Sequence, residues 1–160
     1  MKRKPAPSNL SDAQWALLEP LMPEAKQNGR PRRVYLREII NAIFYILCGG
    51  FPWRMMPHEF PAWKTVYHYF RSWRIDRLWQ QMNQALREKV RQQVGRQLTP
   101  SAAIVDSQSV KTTELAGEVG DDGGKLLKGH KRHLLVDTLG LRLQVVVSAA
   151  NRARKSWRQA

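Results

Sequence analysis

The sequence predicts an α+β protein: an all-α N-terminal region followed by a short run of antiparallel strands. Three observations carry that reading. Apolar residues recur at spacings of three and four as far as Gln97. Leu98-Thr99-Pro100-Ser101 then breaks the pattern, because proline ends a helix and pushes the residue before it toward extended geometry. Beyond the break come short apolar runs rich in β-branched residues. Two of these flank Asp137-Thr138-Leu139-Gly140, with Asp first and Gly last as in a type I hairpin turn. The expected division is 1–98 for the helical domain, 99–151 for the strands and 152–160 for a basic tail.

Taken in order, residues 1–10 form a basic, proline-containing arm. Ser11-Asp12-Ala13-Gln14 is a capping box with Ser11 as N-cap and Gln14 at N3, and Leu10 and Trp15 are spaced as a hydrophobic staple. The first helix runs to about Glu19, where Pro20 and Pro23 limit it. Lys26 to Arg33 is a basic loop, either a solvated linker or a contact to a nucleic-acid backbone. The second helix spans about Leu36 to Leu47, with Leu36, Ile39, Ile40, Ile43, Phe44 and Leu47 as its core stripe, and Gly49-Gly50 stops it. In the Pro-rich loop that follows, Trp53 and Phe60 are expected to pack back on the core.

The third helix spans about Ala62 to Ile75. Trp63, Val66, Phe70 and Trp73 share one face, and Lys64, Thr65, His68, Arg71 and Ser72 occupy the opposite one. That division suits a recognition helix, with anchors behind and hydrogen-bonding cations in front, but also any solvated amphipathic helix. Short helix, core helix, Pro-rich turn and polar-faced helix together favour a helix-turn-helix-like arrangement. The fourth helix runs from about Leu78 to Gln97, with Leu78, Met82, Leu86, Lys89-Val90 and Val94 on its buried side and Arg77, Arg87, Arg91 and Arg96 keeping it basic.

Composition narrows the partner. The chain of 160 residues has 27 Lys+Arg against 13 Asp+Glu, a formal net charge of +14. This is more than solubility needs, and such a field attracts polyanions, nucleic acid first among them. The basic residues are not confined to one amphipathic segment, which argues against a membrane surface. Cys48 is the sole cysteine, so no disulfide can form within the chain and a reducing cytoplasm fits. The basic start leads into no apolar signal-peptide core. The longest apolar stretch, about Ile39 to Cys48, is too short to span a bilayer.

In the strand region, Ala102 to Val105 reads as a strand buried on both faces and ending at Asp106. Asp106 either caps the strand end or pairs with Lys111, or it holds a divalent metal. Glu114 to Gly129 is glycine-rich and reads as a mobile loop. Lys131–Asp137 and Leu141–Ala149 complete three adjacent strands.

Several segments carry a family likeness. Trp53-Arg54-Met55-Met56-Pro57, Trp63-Lys64-Thr65-Val66-Tyr67 and Phe70-Arg71-Ser72-Trp73 resemble the N-terminal DNA-binding region of bacterial insertion-element transposases. Asp106-Ser107-Gln108-Ser109-Val110-Lys111-Thr112, Asp122-Gly123-Gly124-Lys125, Lys128-Gly129-His130-Lys131-Arg132-His133 and Val136-Asp137-Thr138-Leu139-Gly140 resemble the start of the same family's catalytic domain. Asp121 departs from the pattern, which usually has an aromatic residue there. The likeness covers about Leu10 to Asn151.

The resemblance implies a DDE transposase with an RNase H-like catalytic fold, using two Mg²⁺ ions held by Asp, Asp and Glu. Asp106 matches the first of these acids and is the candidate catalytic and metal-binding residue. The second acid and the Glu have no counterpart here. Asp137 belongs to its hairpin turn, and Asp121 and Asp122 lie in the glycine loop. From Arg152 the chain turns basic, so a frameshift or truncation near Asn151 is expected, leaving an incomplete RNase H-like domain.

Double-stranded DNA, the insertion element's terminal repeats, is the expected partner. Lys64, Thr65, His68 and Arg71 are the groove-facing set, and Lys125, Lys128, Lys131 and Arg132 form a second basic cluster. The expected function is binding of element ends without cleavage by this chain alone. The alternatives are a regulator that represses transposition, and an active transposase completed by frameshifting or by a second chain. The protein is expected to be cytoplasmic, and a homodimer or a second transposase chain is a further expected partner.

Overall fold

The computed structural model describes residues 4–25, 32–112 and 119–151. Most of the basic loop, residues 26–31, the first part of the glycine-rich stretch, 113–118, and the tail, 152–160, lie outside the described residues. By its contacts the chain divides into two compact units, Met1–Met82 and Asn83–Ala160. Among the described residues four α-helices precede a four-stranded antiparallel sheet, an α+β layout with the helices N-terminal.

In the first unit, α1 (Asp12–Leu18) starts as its sequence dictates. The Gln14 N–H donates to Ser11 Oγ at 3.2 Å and the Ser11 N–H donates to Gln14 Oε1 at 2.8 Å, completing the capping box. A 3₁₀ turn over Glu19–Leu21 absorbs Pro20. α2 (Leu36–Gly49) is the core helix: Ile39, Ile40, Ala42 and Ile43 are wholly buried. Its stripe differs from the expected one at the C-terminal end. Leu47 is 56% exposed and Ile46 is buried in its place.

Asn41, also buried in α2, ties the chain entering α1 to this core. It accepts from the Leu10 N–H at 2.9 Å and donates to Glu38 at 3.2 Å. Arg37 donates to the Leu10 carbonyl at 2.8 Å and pairs with Asp12 at 2.6 Å. After a 3₁₀ turn, Trp53–Met55, the α3 helix (Trp63–Ile75) packs Val66 and Trp73 inward. Phe60 is buried, and Trp53 lies 5.3 Å from Tyr67 and 5.0 Å from Phe70 between ring centroids. Both aromatics of the loop thus pack back as expected. α4 (Leu78–Gln93) adds Leu78 and Met82 to this core, with Trp79 against Trp73 at 5.6 Å.

In the second unit, β1 (Ala103–Lys111), β3 (Leu127–Asp137) and β4 (Arg142–Ala149) are the three expected strands, with β3 between the other two. A fourth, β2 (Gly120–Asp122), pairs with the start of β3. The glycine-rich stretch is therefore partly strand, not wholly loop. Gly129 is the reason the strands can meet there: a Cβ on it would lie 2.0 Å from the Val110 carbonyl oxygen. The β3–β4 hairpin closes as its Asp–Gly signal predicts. The Gly140 N–H donates to the Asp137 carbonyl at 3.0 Å, and Gly140 has φ +76°.

The pairing register separates the sheet's two faces, since directly opposed residues share a side and neighbours alternate. Ser107 with His133, Ser109 with Lys131 and Ala103 with Asp137 lie on one face. His133 and Asp137 are buried there. The part of α4 from Asn83 onward runs along this unit: Asn83 donates to the Arg142 carbonyl at 3.0 Å, and Arg91 pairs with Asp137 at 2.5 Å. Arg91 is buried, whereas Val90 and Val94, expected inside, are 40% and 55% exposed.

The other face carries Asp106 with Leu134, Gln108 with Arg132, and Leu134 with Val145. It is open: Ile104, Leu134, Val145 and Val147 are all exposed. β1 is accordingly not buried on both faces. A strand that reads as a continuous apolar run can still have one uncovered side.

Candidate nucleic-acid interface and metal position

α3 presents Lys64, His68 and Arg71 to solvent, with Thr65 half-buried beside them. Positions 64, 68 and 71 are spaced by four and three residues, so they stack along one side of the helix. Val66 and Trp73 hold the opposite side in the core. The structure thus brings together three cationic or hydrogen-bonding side chains on a rigid helix whose orientation is set by apolar anchors. Sequence reading missed two neighbours on the same side. Arg74 lies one turn beyond Arg71, and Tyr67, 41% exposed, lies one residue before His68. Extending the same spacing by one step would have found Arg74.

The second basic cluster is not one patch. Lys125 is exposed in the turn before β3, and Lys128 and Arg132 are exposed along the strand. Arg132 donates to Gln108 Oε1 at 3.0 Å on the open face. Lys131 faces the other side, where it pairs with Asp122 at 3.4 Å. Asp122 also accepts from Ser109 Oγ at 2.5 Å and from the Gly124 N–H at 3.2 Å. The Ser109 hydrogen bond, and after it the Lys131 charge, hold the Asp122 carboxyl below the usual carboxylate range. Lys131 is thus paired with a carboxylate, while Lys125, Lys128 and the Gln108-bonded Arg132 are exposed.

Asp106 is exposed on the open face, opposite Leu134, and accepts a 2.8 Å hydrogen bond from the Ser107 N–H. Its alternatives in the sequence are a cap at the strand end, a pair with Lys111, or a metal. The strand does not end there, since β1 runs on to Lys111 with Asp106 inside it, and among the described residues no ion pair joins it to Lys111. The acids of the sheet do not converge on it: Asp121 shares the open face but pairs in register with Lys128, six residues along β3 from Leu134. Asp137 lies on the opposite face, bound to Arg91, and Asp122 is bonded to Ser109 and Lys131 on that same face. Among the described residues no three His, Cys, Asp or Glu side chains form a group that could hold a metal ion. Mg²⁺ takes hard oxygen ligands and a metal pair needs several carboxylates, so one exposed acid does not fit such a pair.

Asp137 is instead a structural acid. It accepts from the Leu139 and Leu141 N–H groups, each at 2.9 Å, and from Arg91. Burial by itself raises its pKa. The two backbone N–H groups and the guanidinium outweigh that cost and hold the carboxyl below its ordinary value.

Comparison with known proteins now places the chain. Residues 10–101 match a family described as "Putative transposase of IS4/5 family (DUF4096)". The chain belongs to this family of insertion-element transposases. The match takes in α1 to α4 and stops just short of β1. One relative is the "Insertion element IS402 uncharacterized 16.2 kDa protein" of Burkholderia cepacia. It is 28% identical over 117 residues, covering 69% of this chain and 78% of that protein. No solved structure matches the chain. No helix among the described residues is long and apolar enough to cross a membrane.

Proposed function

We propose that this transposase-family chain binds the terminal-repeat DNA of an insertion element through α3 and does not cut it unaided. The observation that carries the reading is the solvent face of α3. Lys64, His68, Arg71 and Arg74 line a helix anchored by Val66 and Trp73, in a chain of net charge +14. A helix of this kind, preceded by a core helix and a Pro-rich turn, acts as the recognition helix of a helix-turn-helix-like domain. Cations position it on phosphates, and Thr65 and Arg71 can reach base edges. Lys125, Lys128 and Arg132 add a second contact to the backbone.

Asp106 would keep the position of the first acid of an RNase H-like domain. It would ligate Mg²⁺ only with carboxylates that the described residues of this chain do not place near it. A second reading follows from the same point. The open face beside Asp106 favours completion by another transposase chain, whereas a chain acting by itself at element ends would repress transposition. We place either activity in the cytoplasm.

Fluorescence anisotropy with duplex DNA tests the binding. Affinity is expected to fall by about a thousandfold or more between roughly 50 and 200 mM salt. Arg71→Glu should weaken binding by about 1–3 kcal/mol. An affinity indifferent to both salt and Arg71 removes α3 from the interface. Incubation of an end duplex with the purified protein and Mg²⁺ should give no nicking. Nicking that disappears in Asp106→Ala would establish a complete active site.

A further inference from the structure

Within the first unit, the loop before α3 and the start of α3 enclose a cleft of about 610 Å³. Its lining includes Met55, Met56, Pro57, Phe60 and Trp63 together with Arg54 and His58. The guanidinium of Arg54 lies 5.8 Å and the ammonium of Lys64 5.9 Å from the centroid of the Trp63 ring. None of the residues lining the cleft is acidic, and among the described residues no carboxylate pairs with Arg54 or Lys64. Two cations are thus held at one indole of the cleft wall, and among the described residues no carboxylate answers them. Met55, in the lining, is 67% exposed.

We infer that this cleft takes an unpaired nucleotide of bound DNA, its base against Trp63 and its phosphate between Arg54 and Lys64. The inference deepens the reading that α3 grips a duplex, and rests on it. The cleft and the proposed groove-facing side share α3, since Lys64 opens the row that continues through His68 and Arg71. The chemistry of the walls matches the ligand. A nucleobase offers a flat aromatic face to an indole and to sulfur-containing side chains, and its phosphate offers the missing anion. A base inside an intact duplex is already stacked on both sides and cannot enter, so the ligand must be an unpaired nucleotide at a strand end or a flipped position.

The test compares a short blunt duplex with the same duplex carrying a single-stranded thymidine tail at one 3′ end, both titrated with the full chain. The tail is expected to tighten binding by about tenfold, in line with stacking of one base on an aromatic side chain. In Trp63→Ala the ratio of tailed to blunt affinity should fall toward one. Arg54→Gln, an exposed and conservative change, should lower the same ratio and guards against a Trp63 variant that fails to fold. Equal affinities for both duplexes in the unaltered protein, or a tail preference that survives both variants, overturn the inference while duplex binding stands. Binding of a free thymidine oligonucleotide without any duplex binding would keep the cleft and remove the α3 reading. Failure to bind any of the three probes removes both.

Discussion

Arg91 on α4 and Asp137 at the end of β3 form an ion pair, 2.5 Å apart and almost wholly buried, between residues 46 positions apart in the chain. Arg91 also donates to the Gln97 carbonyl at 2.6 Å. One guanidinium therefore holds the segment after α4 and the hairpin turn together. Asp137 completes the arrangement by accepting from Leu139 and Leu141. A buried pair of this kind is costly to break from one side only, because the remaining charge stays buried and unanswered. Arg91→Met should destabilise the second unit by about 3–5 kcal/mol. Hydrogen exchange at the β3 and β4 amides, through a denaturant series, reads that unit directly. Protection unchanged in the variant would show that the pair does not hold the sheet.

The same carboxylate sets a pH response. Its folded pKa lies below the ordinary value, so the sign is that of a depressed acid. The contribution is present above the unfolded pKa of about 3.9 and is lost as pH falls through the folded value. Acid should therefore loosen the β3–β4 hairpin below about pH 4, while stability stays flat on this account at neutral pH. Asp122, also depressed, adds to the same side. In Asp137→Asn the acid-side loss of hairpin protection should be shallower, and a slope identical to that of the unaltered protein would assign the loss to other groups.

Particular residues show what could be read from sequence and what could not. The helices of the first unit follow from the spacing of Ile39, Ile43, Val66 and Trp73, and α1 follows from Ser11 and Gln14, because local hydrogen bonds and a one-sided core write themselves into neighbouring positions. The hairpin at Asp137–Gly140 is equally local. Arg91 is different. Asn83, Arg87 and Arg91 recur every four residues toward the sheet of the second unit, but a polar row reads as solvated until its partners are known, and Asp137 lies far along the chain. Ile104 misleads in the opposite sense, since an apolar strand residue says nothing about whether a second layer covers it. β2 is too short to show a period at all. In the candidate interface, the outward set on α3 was legible from spacing, while the inward turn of Lys131 depended on strand register.

Gly129 gives a sharp steric prediction. Its missing Cβ leaves room for the Val110 carbonyl, which would otherwise lie 2.0 Å away. That contact is with backbone, so no side chain can swing aside. Gly129→Ala should force β1 and β3 apart at the Lys111–Gly129 pair and cost about 1–3 kcal/mol or more, as overpacking does. Far-UV circular dichroism during urea unfolding would register the loss. Gly123→Ala, where a Cβ meets nothing within 4 Å, is the matched control.

In the first unit the corresponding test falls on Asn41. Its side chain is 2% exposed, accepts from the Leu10 N–H at 2.9 Å and donates to Glu38 at 3.2 Å. Leu10 is itself buried, so its N–H has no easy access to water if the acceptor is removed. Asn41→Leu keeps roughly the same volume and adds apolar contact inside α2, which by hydrophobic transfer alone should stabilise. Leaving a buried donor unsatisfied costs about 1–3 kcal/mol and works against that gain. Because the lost bond is the one that anchors the entry to α1, the net effect should be destabilising, and release of α1 should precede unfolding of α2. Trp15 sits on α1 and is half-buried, so its environment reports the release. With Trp15 kept and the other tryptophans replaced by phenylalanine, fluorescence should shift to the red at lower urea in the Asn41→Leu background than without it. An unchanged midpoint would mean that Arg37, through its bond to the Leu10 carbonyl and its pair with Asp12, is enough to hold α1 in place.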